Sequence, residues 1–265
     1  MMGQSGAPAG KPASLGEIAA LLPSAVARVA RARDLLAGHM ADHPGYVAWS
    51  GGRDSTCALL LARQVDPQVP VAWFDSGLEY PETRVYLEQV AERLQVNLHV
   101  FAAVPDALTM LRETGAWDHA AAFRDLGASG SDFHTVLLSE PSRRAHERFG
   151  VGEISGLRAG ESVGRRVLLA SGRGLYQRND GACVCAPVWR WSLTDVRGFL
   201  AREGIPENPV YARLEALGAP QHAQRVGLVV DGNAAEYGRY TWLRTGWPDM
   251  WETVCEALPR LREWR

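Results

Sequence analysis

An apolar run, Tyr46-Val47-Ala48-Trp49, stops at Ser50-Gly51-Gly52-Arg53-Asp54-Ser55, and the next ten residues carry Ala58, Leu59, Leu61 and Ala62 at helical spacing. Strand, tight glycine turn and helix in this order constrain the fold more than any other feature of the chain. In an open parallel sheet such a turn lies at the carboxyl end of a strand, where ligands bind. Two glycines let the backbone approach an anion closely. The following helix then directs unpaired N–H groups and its positive end at that anion. Ser50 and Ser55 add hydroxyl donors, and Asp54 is a candidate ligand for a Mg²⁺ counter-ion. The turn is neither GxxxxGK[ST] nor GxGxxG, which excludes a P-loop NTPase and a dinucleotide Rossmann site. A turn that merely joined strand to helix would need neither the paired serines nor the aspartate.

The pattern repeats. Residues 70–74 read as a second strand, 81–94 as a helix with proline in its first turn, and 97–101 as a third strand. Residues 152–156 and 183–188 are the best candidates for strands four and five. Between them, 166–170 and 175–177 flank Ser171-Gly172-Arg173-Gly174 and suggest a hairpin. Strands alternating with helices predict an α/β, Rossmann-like, five-stranded parallel sheet with helices on both faces. Three segments follow: residues 1–13 as a Gly/Ala/Pro/Ser tail, 14–206 as the α/β domain with N-terminal helices, and 207–265 as a helical extension packed on it. Ser14 with Glu17 looks like a capping box, and Ser192 caps a helix with Asp195 three residues on.

Charge adds a second constraint. Of 28 basic residues only Lys11 is lysine, so a lysine-dependent phosphate loop is ruled out and the anion chemistry must rest on arginine. The formal net charge is −2, with no global basic field to draw nucleic acid. Yet eight arginines (143, 144, 148, 158, 165, 166, 173, 178) face three acids (Glu147, Glu153, Glu161) over residues 143–178. Guanidinium forks suit phosphate or sulfate, which makes Arg158, Arg165 and Arg166 candidate contacts. No apolar stretch reaches the roughly 20 residues that cross a bilayer, and four cysteines are too few for a disulfide framework. A cytoplasmic location and a homodimer are the expectations.

Four motifs in the same order resemble one family. Ser50-Gly51-Gly52-Arg53-Asp54-Ser55 is similar to the PP-motif of the adenine-nucleotide α-hydrolase superfamily. Asp75-Ser76-Gly77-Leu78-Glu79-Tyr80-Pro81-Glu82-Thr83 resembles the D-[ST]-G-x-x-[FY]-P-E-T element of its phosphoadenosine phosphosulfate (PAPS) reductase branch. Gly156-Leu157-Arg158-Ala159-Gly160-Glu161-Ser162, followed by Arg165 and Arg166, resembles that branch's arginine loop. Residues 187–211, with Trp191, Asp195, Val196, Asn208, Pro209 and Tyr211, are similar to its P-x-x-x-W-[ST]-x-x-D-V…NP-x-Y segment. The resemblance implies a bound adenine nucleotide, ATP or PAPS or adenylyl sulfate, with Mg²⁺. It implies adenine against the backbone of Trp73 and Phe74, and a pocket shaped by Asp75, Gly77 and Thr83. With ATP, the implied reaction is attack on the α-phosphorus, releasing pyrophosphate and adenylating an acceptor.

The chain also departs from that family. Reductases of this branch carry their nucleophilic cysteine in an E-C-G-[IL]-H segment, which this sequence does not show. Cys255 falls on an apolar helix face, Cys57 on the helix after the PP-motif. Cys183 and Cys185 point to one side of a strand and are open to a core, redox or persulfide-carrying, or metal role. His134 has no partner that sequence assigns. Arginines interleaved with Tyr237, Tyr240, Trp242, Trp247 and Trp251 suit either core packing or stacking on nucleic acid. The leading expectation is an ATP pyrophosphatase that adenylates a small-molecule or nucleic-acid acceptor for sulfur transfer, with a sulfur-donor protein. Alternatives are a sulfonucleotide reductase using a non-standard thiol, and a non-catalytic nucleotide-sensing subunit.

Overall fold

The structure, a computed structural model, describes residues 23–114, 134–227 and 239–263. The expected capping box at Ser14 and Glu17, the tail and Tyr237 lie outside these residues. Helix α1 (Pro23–Asp42) leads into β1 (Gly45–Ala48), α2 (Arg53–Val65), β2 (Val71–Asp75), α3 (Pro81–Leu94) and β3 (Leu98–Ala102). After α4 (Ala107–Thr114), a π-helical turn (Thr135–Ser139) enters α5 (Glu140–Phe149) and β4 (Gly152–Ile154). A 3₁₀ turn (Ala159–Glu161), α6 (Val163–Ser171), β5 (Leu175–Gln177), β6 (Cys183–Cys185) and α7 (Leu193–Arg202) come next. Helices α8 (Pro209–Ala216), α9 (Arg239–Gly246) and α10 (Pro248–Ala257) follow, and a 3₁₀ turn (Pro259–Glu263) ends the described residues.

The strands form one sheet in the order β3-β2-β1-β4-β6-β5. Five are parallel, as the alternating pattern predicts, and β5 adds a sixth, antiparallel edge. The expected hairpin is therefore corrected: residues 166–170 belong to helix α6, and Leu175–Gln177 pairs instead with β6, Tyr176 opposite Val184. A short apolar run reads equally well with either period. The helix wins because the Ser162 hydroxyl caps it, accepting from the Arg165 N–H at 3.1 Å, while Leu169 alone of its residues is fully buried.

The main core lies on one sheet face, where Val47, Trp49, Val71 and Ile154 meet α1, α2, α3 and α7. Helix α2 is buried from Ser55 to Ala62 without a break, because sheet and helices enclose it. Ser192 and Asp195 form the predicted capping box of α7, and Asp195 also pairs with Arg28 of α1. On the opposite face α5 covers Tyr46, Ala72 and Phe101. A second core joins Leu78, Tyr80 and α4 to the C-terminal helices, including Tyr240, Trp247 and Trp251. Those aromatics pack rather than present flat faces for stacking on bases. Strands β2 and β3 extend to one side of β1 and β4 and β6 to the other, so the crevice between β1 and β4 is the switch point at which such sheets bind ligands.

Candidate nucleotide-binding site

Two loops meet at that crevice. The first follows β1. Gly51 takes φ +73°, a left-handed conformation that favours glycine, and Gly52 N-caps α2 with no side-chain hydrogen bond. The helix therefore begins with its positive end open to a ligand. Ser50 Oγ lies 3.1 Å from Ser55 Oγ, which donates to the Gly52 carbonyl at 3.0 Å. Thr56 Oγ1 donates to the same carbonyl at 2.8 Å and accepts from Trp49 Nε1 at 3.0 Å, tying the turn to the strand.

The second loop follows β4. Gly156 sits directly on the start of α2: a Cβ there would fall 2.3 Å from the Ser55 nitrogen, so only glycine allows this approach. Arg158 leaves the loop to meet Asp54, Nε to Oδ1 at 2.8 Å, and donates from Nη1 to the Trp191 carbonyl at 3.3 Å. Its backbone N–H donates to Glu161 at 3.1 Å, and Glu161 also pairs with Arg165. Burial raises the Asp54 carboxyl above its ordinary range, opposed chiefly by the Arg158 guanidinium.

Both loops open into a cavity of about 1010 Å³. Ser50, Gly52, Arg53, Asp54, Ser55, Trp73, Phe74, Gly156, Arg158 and Arg165 line it. The remaining expected residues stand elsewhere. Gly51 lies behind the turn. Arg166 is exposed on α6 away from the cavity, and the local arginine excess is largely absorbed by neighbours: Arg143 and Arg144 pair with Glu140, Arg178 with Glu153 and Asp180. Asp75 shapes the loop after β2, accepting from the Gly77 N–H at 2.9 Å and from Arg84 at 2.6 Å, while Gly77 holds φ +79°. Thr83 is fully buried and donates to the Val226 carbonyl at 2.6 Å.

Arg53 lines the cavity, but its guanidinium turns back into the fold. It stacks 3.5 Å over the Tyr211 ring, donates to Gln224 at 2.9 Å and meets Glu207 at 3.1 Å. Its backbone N–H donates to the Tyr211 hydroxyl at 3.3 Å. Asn208 completes this strap, donating to Thr83 Oγ1 at 3.1 Å and to the Gly51 carbonyl at 3.4 Å. Gln224, Gln221 and Arg225, which the motifs did not single out, bring the chain after α8 to the cavity edge. Only the fold could place them there.

None of the four cysteines lines the cavity. Cys185 is buried in the main core, where burial pushes its thiol up to about 12; Cys183, on the same side of β6, is half-buried. Cys57 and Cys255 are buried, and burial raises both thiols. His134 lines the cavity with Nδ1 3.2 Å from Ser139 Oγ.

Residues 45–226 match the phosphoadenosine phosphosulfate reductase domain. The phosphoadenosine 5'-phosphosulfate reductase of Xylella fastidiosa (strain M12) is 29% identical over 177 residues, 65% of this chain and 69% of that protein. That of Aliivibrio salmonicida (strain LFI1238) is 31% identical over 188 residues, 69% of this chain and 67% of that protein. Among solved structures, the phosphoadenylyl-sulfate (PAPS) reductase from Candida auris, in a phosphate complex, shares the fold. It superimposes with a TM-score of 0.53 at 18% identity, over 78% of this chain and 90% of that one. The matched span runs from β1 past the strap and contains both loops of the crevice, and the chain belongs to the phosphoadenosine phosphosulfate reductase domain family.

Proposed function

We propose that this protein is a PP-loop enzyme that binds ATP in the β1/β4 crevice, cleaves it between the α- and β-phosphates and adenylates an acceptor. The observation that carries this reading is the convergence of the open α2 N-terminus with Arg158 on one cavity that no cysteine lines. Backbone amides of Gly52, Asp54 and Ser55 and the hydroxyls of Ser50 and Ser55 would hold the departing pyrophosphate, while the Arg53 N–H stays on Tyr211. Arg158 and Arg165 would stabilise charge on the equatorial oxygens as the acceptor oxygen attacks the α-phosphorus and its bond to the bridging oxygen breaks. Charge-assisted contacts of this kind contribute about 1.5–3 kcal/mol each. Trp73 and Phe74 would take the adenine.

Asp54 fits Mg²⁺. It is one carboxylate beside a phosphate cradle, and Mg²⁺ is ordinarily held by one or two carboxylates plus substrate phosphates. Among the described residues no cluster of three or more His, Cys, Asp or Glu offers an all-protein cage. A bound Mg²⁺ would neutralise phosphate charge. Arg158, released in part from Asp54, would then turn to the nucleotide.

The names of the relatives favour a second reading, reduction of PAPS. Incubation with Mg²⁺ and either ATP or PAPS separates the two. Release of AMP and pyrophosphate from ATP, undiminished in Cys183→Ala and Cys185→Ala, supports adenylation. Release of sulfite from PAPS with a thioredoxin system would overturn it. Sulfur transfer from a donor protein to the adenylated acceptor is the step we expect to follow.

A further inference from the structure

Beyond the two loops the cavity is also lined by Ser142, Glu153, Tyr176, Arg178 and Asp180, and this end has a different character. Tyr46, Glu153, Val184 and Tyr176 occupy one register row across β1, β4, β6 and β5, so their side chains stand on the same sheet face. On that row Glu153 is a carboxylate in a central strand, only 6% exposed. Arg178 meets its Oε2 at 3.0 Å, the Tyr46 hydroxyl donates to the same atom at 3.3 Å, and His146 Nε2 lies 3.6 Å from it. Ser142 Oγ accepts from Arg178 at 2.9 Å. Arg178 also pairs with Asp180 at 2.8 Å, and Glu153, Arg178 and Asp180 all line the cavity.

A stable sheet does not need this group. Burying an ion pair costs about as much desolvation as its attraction returns, and well-packed apolar residues serve stability as well or better. The charges are also arranged unevenly. At the loop end the α2 N-terminus and the arginines Arg158, Arg165 and Arg225 line the cavity with two carboxylates (Asp54, Glu161), the Arg53 guanidinium being turned into the fold. At the far end a single arginine, Arg178, is shared by two carboxylates, Glu153 and Asp180, with His146 beside Glu153. Burial works against the Asp180 charge, but hydrogen bonds from Arg178 and from the Ala182 N–H hold its carboxyl below the ordinary range. The contacts to Glu153 converge on Oε2 rather than on Oε1. One end thus suits a polyphosphate and the other a group of opposite charge.

We propose that the Glu153–Arg178–Asp180 end of the cavity is the acceptor subsite, and that it takes a cationic nitrogen group, a protonated amine or an amidinium, carried by the acceptor. The assignment rests on the adenylation reading, in which the nucleotide fills the loop end. Glu153 Oε1 receives an N–H of the cation, and Asp180 flanks it from the β5–β6 turn. Tyr176, two strands over on the same row beyond Val184, supplies an aromatic wall. Polar groups placed this way orient an acceptor without touching the phosphates.

Benzamidine, with neutral benzamide and anionic benzoate as controls, tests the subsite by calorimetric titration of the full chain with and without saturating Mg²⁺-ATP. The expected result is benzamidine binding at least tenfold tighter than either control, with ATP still bound. Glu153→Gln should weaken benzamidine at least tenfold while the ATP Kd stays within twofold. If Glu153→Gln lowers the melting temperature sharply, Asp180→Asn, at an exposed side chain, carries the same test with a loss of at least threefold. Benzoate binding as well as benzamidine, unchanged affinity in the variants, or displacement of ATP by benzamidine would overturn the proposal. Failure of ATP to bind would sink the adenylation reading alone, because the titration without nucleotide still reports on the far end.

Discussion

The loop after β1 and the loop after β4 each carry an arginine that the motifs mark, yet the two side chains have opposite fates. Arg53 turns away from the glycine turn and is held by Tyr211, Glu207 and Gln224. Arg158 turns toward it and meets Asp54. The first loop therefore acts through backbone, and its arginine anchors the chain after α8. The second acts through side chains, and its glycine exists to let it lie on α2. Motif position alone does not tell which arginine serves a ligand.

Replacing the two arginines in turn breaks the comparison most sharply. Arg158→Ala should cost about 100-fold or more in turnover of the nucleotide, in line with removing one donor aimed at transition-state charge. Asp54 loses its partner, so some stability should be lost as well, and kinetics together with denaturant titration will separate that from the loss of turnover. Arg53→Ala should act mainly on stability. It strands Glu207 and Gln224 and removes a stacked, buried guanidinium, so about 3 kcal/mol of stability should be lost, with a smaller loss of nucleotide affinity than in Arg158→Ala.

Gly156→Ala sharpens the contrast between backbone and side-chain roles. Its Cβ would collide with backbone, which must move, so about 1–3 kcal/mol of stability and roughly tenfold in nucleotide affinity should be lost although no functional side chain is removed. Binding titrations and thermal melts check both.

The loop after β2 provides a smaller, pH-dependent test. Burial, the largest cause, lifts Glu79 from 4.5 to about 7, against a hydrogen bond from Ser76. A carboxyl raised on folding favours the folded state below its unfolded pKa and loses that contribution as pH rises through the folded one. The melting temperature should therefore fall by a few degrees between pH 4.5 and 8, and Glu79→Gln should flatten the fall. Smallest of all, Arg166→Ala, on the exposed side of α6, should leave nucleotide binding within twofold.

Much of the site is legible along the chain because it is local. A strand, a glycine turn and a helix N-terminus follow one another within residues 46–64, and their geometry needs no distant partner. The same holds for the capping box at Ser192 and Asp195 and for the alternation that predicts a parallel sheet. The helix over 163–171, which reads as one arm of a hairpin, is not legible, because a short apolar run fits either period until burial selects one face. Nor is the far end of the cavity. Glu153 and Arg178 appear in the sequence only as one acid and one of eight arginines in a basic stretch.

By itself the sequence determined the fold class, the position of the anion-binding turn, and a reliance on arginine that follows from a single lysine in 265 residues. The tertiary structure decided which arginines face the cavity, that the strap at Asn208 and Tyr211 braces the glycine turn, and that all four thiols stand away from it. The reason is physical. Backbone conformation and helix polarity are set over a few residues, whereas the direction of a long charged side chain depends on which partners the packing brings within about 3 Å.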